Sequence, residues 1–287
     1  MTATAATTAT VIATFRQAAD ANRATPGRQG HIVQLTGAMA DDVLVAADLH
    51  GHRLNFNNLV ATANLAANPR RHLVMQEVCH GGPLYPSGSG CMSHLLLEDI
   101  ARLKVEYPDR FHFILSNHEL AELTDYPIRK GRRMLNLLFR CGVQEMYGEE
   151  AGAVRDAYLD FLRSLPLAVR LANGVFISHT LPERLDQQEF DASVFERPWE
   201  QADLVDRGSV FRLVWGRDFR LENAQAFGKL VNAELFVHGH EPCPEGYRAP
   251  NAMQVILDCC TTPAYYVVLP VERKISHSEL MASVKRL

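Results

Sequence analysis

The chain has 287 residues, 47% hydrophobic and 22% charged, an ordinary globular composition with enough length for a sizeable core. Its 29 basic and 33 acidic residues leave a formal charge of −4, which excludes a generally basic nucleic-acid-binding surface. No stretch is apolar for the length a bilayer requires, so no membrane association is expected.

Residues 1 to about 10 (MTATAATTAT) are Ala/Thr-rich and are expected to fray. They lack the basic start and apolar centre of a secretory leader. Val11, Ile12, Phe15, Ala18 and Ala19 recur at helical spacing, so a helix is predicted to end before Pro26-Gly27. Residues 1–30 read as a flexible or helical extension, and 31–287 as one domain. An edge strand is expected over 31–35 and a strand buried on both faces over 43–47. A helix over 56–67 closed by Asn68-Pro69 follows, then a strand over 73–75 and a Gly/Pro/Ser loop over 81–90. Residues 93–106 carry Leu96, Ile100 and Leu103 on one stripe. Strands are expected over 111–115, 175–177 and 235–237, and helices over 132–140, 154–165 and 221–233. Residues 253–257 and 265–269 read as a closing hairpin around Thr261-Thr262-Pro263. Strands and helices alternate with no repeat and no linker, which indicates a mixed α/β fold. Cysteines 79, 91, 141, 243, 259 and 260 show neither a disulfide framework nor C-x-x-C zinc spacing, and a reducing cytoplasm is the expected compartment.

Five apolar runs end in chemistry-bearing side chains: Asp48-Leu49-His50-Gly51-His52, Gln76-Glu77-Val78-Cys79-His80, Ser116-Asn117-His118-Glu119, Ser178-His179 and His238-Gly239-His240. Seven of the twelve histidines stand in these turns: His50, His52, His80, His118, His179, His238 and His240. A strand buried on both faces has no interior place for such groups. They belong at its carboxyl end, where the crevice of an open α/β sheet lies. Mixed imidazole, carboxylate and amide donors suit Mn, Fe or Zn better than Ca or Mg. Against this stand plainer readings: His52 and His238 as supporting or exposed turn residues, Asn117 as a helix N-cap, and Arg129-Lys130-Gly131-Arg132-Arg133 as a solvated face rather than a phosphate-facing one.

In this order the blocks resemble the G-D-x-H-G, G-D-x-x-D-R-G, G-N-H-E, histidine and G-H blocks of the calcineurin-like metallophosphoesterases. The likeness is to the phosphoprotein phosphatase branch, which includes the Ser/Thr protein phosphatases and the symmetrical dinucleoside tetraphosphatases. Tyr107-Pro108-Asp109-Arg110-Phe111 and Phe161-Leu162-Arg163-Ser164-Leu165-Pro166 resemble that branch's connecting text, and the likeness covers roughly residues 40–270. It implies an αββα sandwich of two packed mixed β-sheets flanked by helices. It implies two divalent metal ions (Mn, Fe or Zn), the first held by Asp48, His50 and a bridging Glu77, the second completed by Asn117, His179 and His240. His118 takes the place of the general acid, His80 that of the residue orienting it, and Glu119 that of a group holding the loop. Arg197 takes the place of a phosphate-binding arginine, with Asn117 also at the substrate.

The second block departs most. Glu77 stands for Asp, one methylene longer. His80 stands for a second Asp, and a neutral imidazole accepts a hydrogen bond but supplies no negative charge. Gly81 stands for a phosphate-binding Arg, and Ser116 for the Gly before Asn117-His118-Glu119. The implied activity is hydrolysis of phosphate monoesters by in-line attack of a bridging hydroxide at a dinuclear centre, with a Ser/Thr phosphoprotein as substrate. Alternatives are a hydrolase of dinucleoside polyphosphates or other small phosphate esters, and a metal- or phosphate-binding module with little catalysis. A phosphorylated substrate is the only partner expected.

Overall fold

In a computed structural model, which describes residues 7–287, the alternation of branched side chains along each strand sets the architecture. The elements in chain order are α1 (Thr8–Arg23), β1 (Arg28–Gln29), β2 (Ile32–Leu35), β3 (Asp42–Val45), α2 (Arg53–Ala63), β4 (Arg71–Gln76), α3 (Ser93–Glu106), β5 (Phe111–Ile114) and α4 (Asn117–Thr124). Then come β6 (Arg129–Lys130), β7 (Arg133–Met134), α5 (Leu135–Tyr147), α6 (Ala151–Arg163), β8 (Ala168–Leu171), β9 (Val175–Ser178), α7 (Gln201–Leu204), α8 (Ser209–Trp215) and α9 (Leu221–Val231). The chain closes with β10 (Leu235–His238), β11 (Tyr247–Asn251), β12 (Gln254–Leu257), β13 (Tyr265–Pro270), α10 (His277–Ala282) and β14 (Val284–Arg286).

Two mixed sheets result, of order β1-β2-β8-β9-β10-β12-β11 and β14-β13-β3-β4-β5. In the first, β9, β10 and β12 run parallel; in the second, β3, β4 and β5 do. Val43, Val45 and Ala47 share one buried cluster with Val175, Ile177, Val237, Val255 and Leu257 of the other sheet. Their neighbours Leu44, Ala46 and Phe176 belong instead to the cluster that includes the helices. The period of two therefore gives each sheet a face of small branched side chains for its partner sheet, and a face of larger ones, such as Phe113, Phe176 and Phe236, for helices. The parallel strands bring their carboxyl ends to one edge of the sandwich, which is where the polar turns stand.

Several expectations change. Residues 1–6 of the segment expected to fray lie outside the described residues, and α1 starts at Thr8, where Thr7 Oγ1 accepts from Thr10 N. This helix is packed into the body: Val11, Phe15, Ala18 and Ala19 are buried, and Asn22 donates to Ser164 Oγ at 2.9 Å. The strand over 31–35 is not an edge, because β1 folds back to cover it. Helix α2 ends early at Asn64, whose φ of 42° makes a left-handed cap. Residues 253–257 and 265–269 form no hairpin. β12 pairs with β10 in one sheet, whereas β13 pairs with β3 in the other. Two apolar strands joined by a turn look alike in sequence whether they pair together or part between layers.

Candidate metal centre

The turns leaving β3 and β4 and those after β10 are built from unusual backbone. Asp48, His50, Glu77, His80 and His240 have φ of 34°, 40°, 51°, 65° and 69°, a left-handed region that costs a non-glycine residue about 1–3 kcal/mol. Neighbouring backbone bonds hold them there. Leu49 N and His50 N both donate to Glu77 O at 2.8 and 3.0 Å, and Cys259 N donates to Asp48 O at 3.1 Å. Gly239 is required for space, since a Cβ there would collide with Asp48 Oδ1.

These turns bring the expected donors together. His179 Nε2 stands 2.7 Å from Asn117 Oδ1 and 3.2 Å from His240 Nδ1, and the last two are 3.2 Å apart. Glu77 Oε1 lies 3.6 Å from His179 Nε2 and 3.8 Å from His118 Nε2, while Glu77 Oε2 lies 3.3 Å from His50 Nε2. Glu77 thus faces two donor groups: the ligand-type sets are His50, Glu77 and His118 on one side and Glu77, His179 and His240 on the other, with Asp48 in neither. Donors about 2.0–2.2 Å from a tetrahedral ion stand about 3.3–3.6 Å from one another, close to these separations.

The chemistry of the donors also fits a cation. His179 Nδ1 donates to Gln76 Oε1 at 2.8 Å, which leaves its Nε2 lone pair aimed at the lone pairs of Asn117 Oδ1 and His240 Nδ1. A cation between these donors would satisfy all three at once. Burial, then the charge of Glu77, push the Asp48 carboxyl well above the usual range, and burial, then Glu119, push Glu77 up to about 8. Burial holds His118 and His179 well below the ordinary imidazole range and His240 down to about 3, which leaves His179 and His240 with lone pairs to coordinate. Asp48 Oδ1, Gln76 Nε2 and His240 Nε2 are buried without hydrogen-bond partners. A divalent cation reverses the penalty on both carboxylates and uses the neutral imidazoles as they stand. The residues present fit the group.

Supporting residues fix the donors. His50 Nδ1 donates to His80 O at 3.2 Å. Glu119 Oε1 accepts from Val78 N and Cys79 N at 3.0 and 2.9 Å, and its other oxygen takes the Ser116 hydroxyl, which ties the second block to α4. Ser116, rather than Asn117, caps α4, with Oγ accepting from His118 N at 3.2 Å.

His80 has a partner that sequence reasoning missed. Its Nδ1 is 2.9 Å from His118 Nδ1, and its Nε2 is 2.9 Å from Glu122 Oε1, with His80 and Glu122 fully buried. A carboxylate can only accept, so His80 donates from Nε2 and receives the His118 Nδ1 proton. His118 Nε2 is then the nitrogen turned toward Glu77. The expected lack of negative charge behind the general-acid position is corrected here: the charge stands one ring further back, on Glu122. The available signal was the spacing of His118 and Glu122, which share one face of α4 as i and i+4. Glu122→Gln is expected to lower kcat on alkyl phosphates by about ten- to a hundredfold while metal content stays constant. An unchanged kcat in steady-state assays would remove Glu122 from the relay.

Arg197 is committed elsewhere: its two terminal nitrogens bond both oxygens of Asp203 at 2.6 and 2.8 Å, and Nη2 also bonds Asp191 at 2.8 Å. The cation whose charge reaches the centre is Arg217, which acts on Glu77, His179 and His240 and pairs its guanidinium with Glu241. His52 caps α2 by accepting from Asn55 N at 3.1 Å, and His238 is buried in stacking contact with Phe236. Gln76 is the second missed residue, the hydrogen-bond partner of His179.

Two mixed sheets packed face to face between helices form the expected calcineurin-like αββα sandwich, with ligand-type side chains at the strand ends. No family model matches the chain. It is 22% identical over 228 residues to a probable serine/threonine-protein phosphatase of Encephalitozoon cuniculi, covering 75% of this chain but 46% of that relative's length. Among solved structures, a serine/threonine phosphatase of Saccharomyces cerevisiae superposes with a TM-score of 0.68 at 15% identity, covering 96% of this chain and 88% of that one. A cold-active protein-tyrosine phosphatase of a Shewanella species matches with a TM-score of 0.56 at 12% identity, over 88% of this chain and 82% of that one. Among the described residues no helix is long and apolar enough to cross a membrane.

Proposed function

We propose that the chain is a metal-dependent phosphomonoesterase acting on phosphoserine or phosphothreonine in proteins. The observation that carries the reading is Glu77 facing His50 with one oxygen and His179 with the other, with His118 Nε2 beside it. Asp48, His50 and Glu77 would hold one divalent ion, and Glu77, Asn117, His179 and His240 the other, with Mn, Fe or Zn suited to the donor set. Such a pair supplies charge neutralisation at the phosphoryl group and a nucleophilic water at neutral pH.

The chain's own residues do the rest. For acid catalysis His118 would carry protons on both ring nitrogens, and as the P–O ester bond breaks the leaving oxygen would take the one on Nε2. His80 and Glu122 hold that ring in the orientation that keeps Nε2 toward the reacting bond, and the Glu122 carboxylate would stabilise the doubly protonated His118. Arg217 adds positive potential where a dianionic substrate would approach. This complete relay argues against the module with little catalysis, which has no need of an oriented acid. The named serine/threonine phosphatase relative supports a phosphoprotein over a dinucleoside polyphosphate. The compartment we assign is a reducing cytoplasm, in keeping with six unpaired thiols.

The test is turnover of p-nitrophenyl phosphate by protein purified without chelator. Activity is expected to rise with added Mn and to vanish on chelation, and phosphoserine peptide to be hydrolysed in preference to dinucleoside tetraphosphate. Metal-replete protein that hydrolyses no phosphate ester would overturn the reading.

A further inference from the structure

The hairpin of β6 and β7 lies outside everything the metal centre uses. Arg129-Lys130-Gly131-Arg132-Arg133 forms a two-stranded ribbon in which Arg129 pairs with Met134 and Lys130 with Arg133, turning at Gly131 with φ of 61°. Its four cations are exposed, and none has an ion-pair partner among the described residues. The nearest acids in the sequence, Glu122 and Asp125, are taken by Arg140 and Arg155. On a chain whose formal charge is −4, this is a local surplus of positive charge without an internal use.

A second observation joins the ribbon to the site. A cavity of about 700 Å³ is lined by Tyr126, Phe211 and Trp215, with Arg184 and Arg207 also on its wall. Tyr126 stands three residues before Arg129, and its ring lies 5.2 Å from Phe211 and 5.3 Å from Trp215. Trp215 in turn meets His240 edge-on at 6.1 Å. Two ring contacts therefore separate the donor cluster from the foot of the hairpin, a span that extended peptide at about 3.3 Å per residue covers in about three or four residues. Trp215 also keeps a buried indole N–H without a partner, a donor that a peptide carbonyl would satisfy.

We infer that this surface selects phosphopeptides with acidic residues a few positions from the phosphorylated one. The phosphate occupies the metal centre, the intervening chain crosses the aromatic cavity, and Asp or Glu side chains meet Arg129, Lys130, Arg132 and Arg133. The inference rests on the phosphomonoesterase reading. The separation favours a peptide, because a small ester cannot reach the ribbon, and a dinucleoside polyphosphate carries its charge next to the reacting phosphorus.

The experiment compares wild type with a variant carrying Arg129→Ser, Lys130→Ser, Arg132→Ser and Arg133→Ser in the metal-loaded full chain. The probes are a phosphoserine peptide with Asp/Glu at the third to fifth positions on either side, its Ala-flanked twin, p-nitrophenyl phosphate and a dinucleoside tetraphosphate. Exposed charge pairs are individually weak, so four together are expected to give wild type about a tenfold kcat/KM preference for the acidic peptide, carried by KM. The preference should shrink with salt and collapse in the variant. Equal use of both peptides by wild type, or a preference that survives the four substitutions, overturns the inference and leaves the phosphomonoesterase reading standing. A loss seen with dinucleoside tetraphosphate instead of the acidic peptide assigns the ribbon to small polyphosphates and overturns it as well. Absence of turnover with every probe overturns the phosphomonoesterase reading itself.

Discussion

Replacing His118 by Asn is expected to reduce turnover of an alkyl phosphate by about 10²–10⁴-fold, the usual contribution of a positioned acid. The substitution removes the ring whose Nε2 stands 3.8 Å from Glu77 and whose Nδ1 contacts His80, yet leaves the donors His50, Glu77, Asn117, His179 and His240 in place. Metal content should therefore hold. The deficit should shrink for p-nitrophenyl phosphate, whose leaving group needs little protonation. Equal losses for good and poor leaving groups, measured as kcat under saturating substrate, would show that His118 acts on the centre's structure and not as an acid.

The second large effect concerns His179, the best-connected donor. Its Nε2 meets Asn117, His240 and Glu77, and its Nδ1 is held by Gln76. His179→Ala is expected to lower metal content by about one ion per chain, read by elemental analysis. Turnover should fall at least about a hundredfold, since a bound cation contributes several kcal/mol of charge stabilisation. Gln76→Leu should produce a smaller loss in the same direction, about ten- to a hundredfold in metal affinity, because the imidazole loses its orienting partner. A His179→Ala protein with its metal content and rate intact would show that Asn117 and His240 define a different site.

The donor cluster was legible in the sequence because it obeys a strong local rule. Val43 to Ala47 is an unbroken apolar run, and no such run ends in Asp48 and His50 without a reason at its terminus. The same rule exposed Glu77, His118, His179 and His240. What escaped it was held by side chains, not by position in a strand. Glu122 sits inside α4, where an acid among apolar neighbours reads as one more helix residue, and its meaning appears only when His80 arrives from another segment. Gln76 lies inside a strand as an apparent substitute for a glycine, and its contact with His179 spans 103 positions. Arg197 matched a short motif, but Asp191 and Asp203 fold onto its guanidinium. Gly81 reads in sequence as a clamp deleted from the second block. In the fold its φ is 104°, and an added Cβ would come within 3.0 Å of His50 O, so restoring an arginine there would mean rebuilding the turn. The strands 253–257 and 265–269 were found correctly and paired wrongly, since periodicity reports a strand's two faces and not its neighbours.

The five non-glycine residues with left-handed backbone at the candidate centre mean that the best sequence for this site is not the best sequence for this fold. Asp48, His50, Glu77, His80 and His240 each occupy a conformation that glycine or asparagine would adopt more easily. A population selected only for resistance to heat would drift toward such replacements and become sturdier as the candidate site's side chains disappeared. Selection for catalysis has to hold the turns against that drift. Under the proposed function, these five bulky polar positions are the ones that selection for stability alone would replace first.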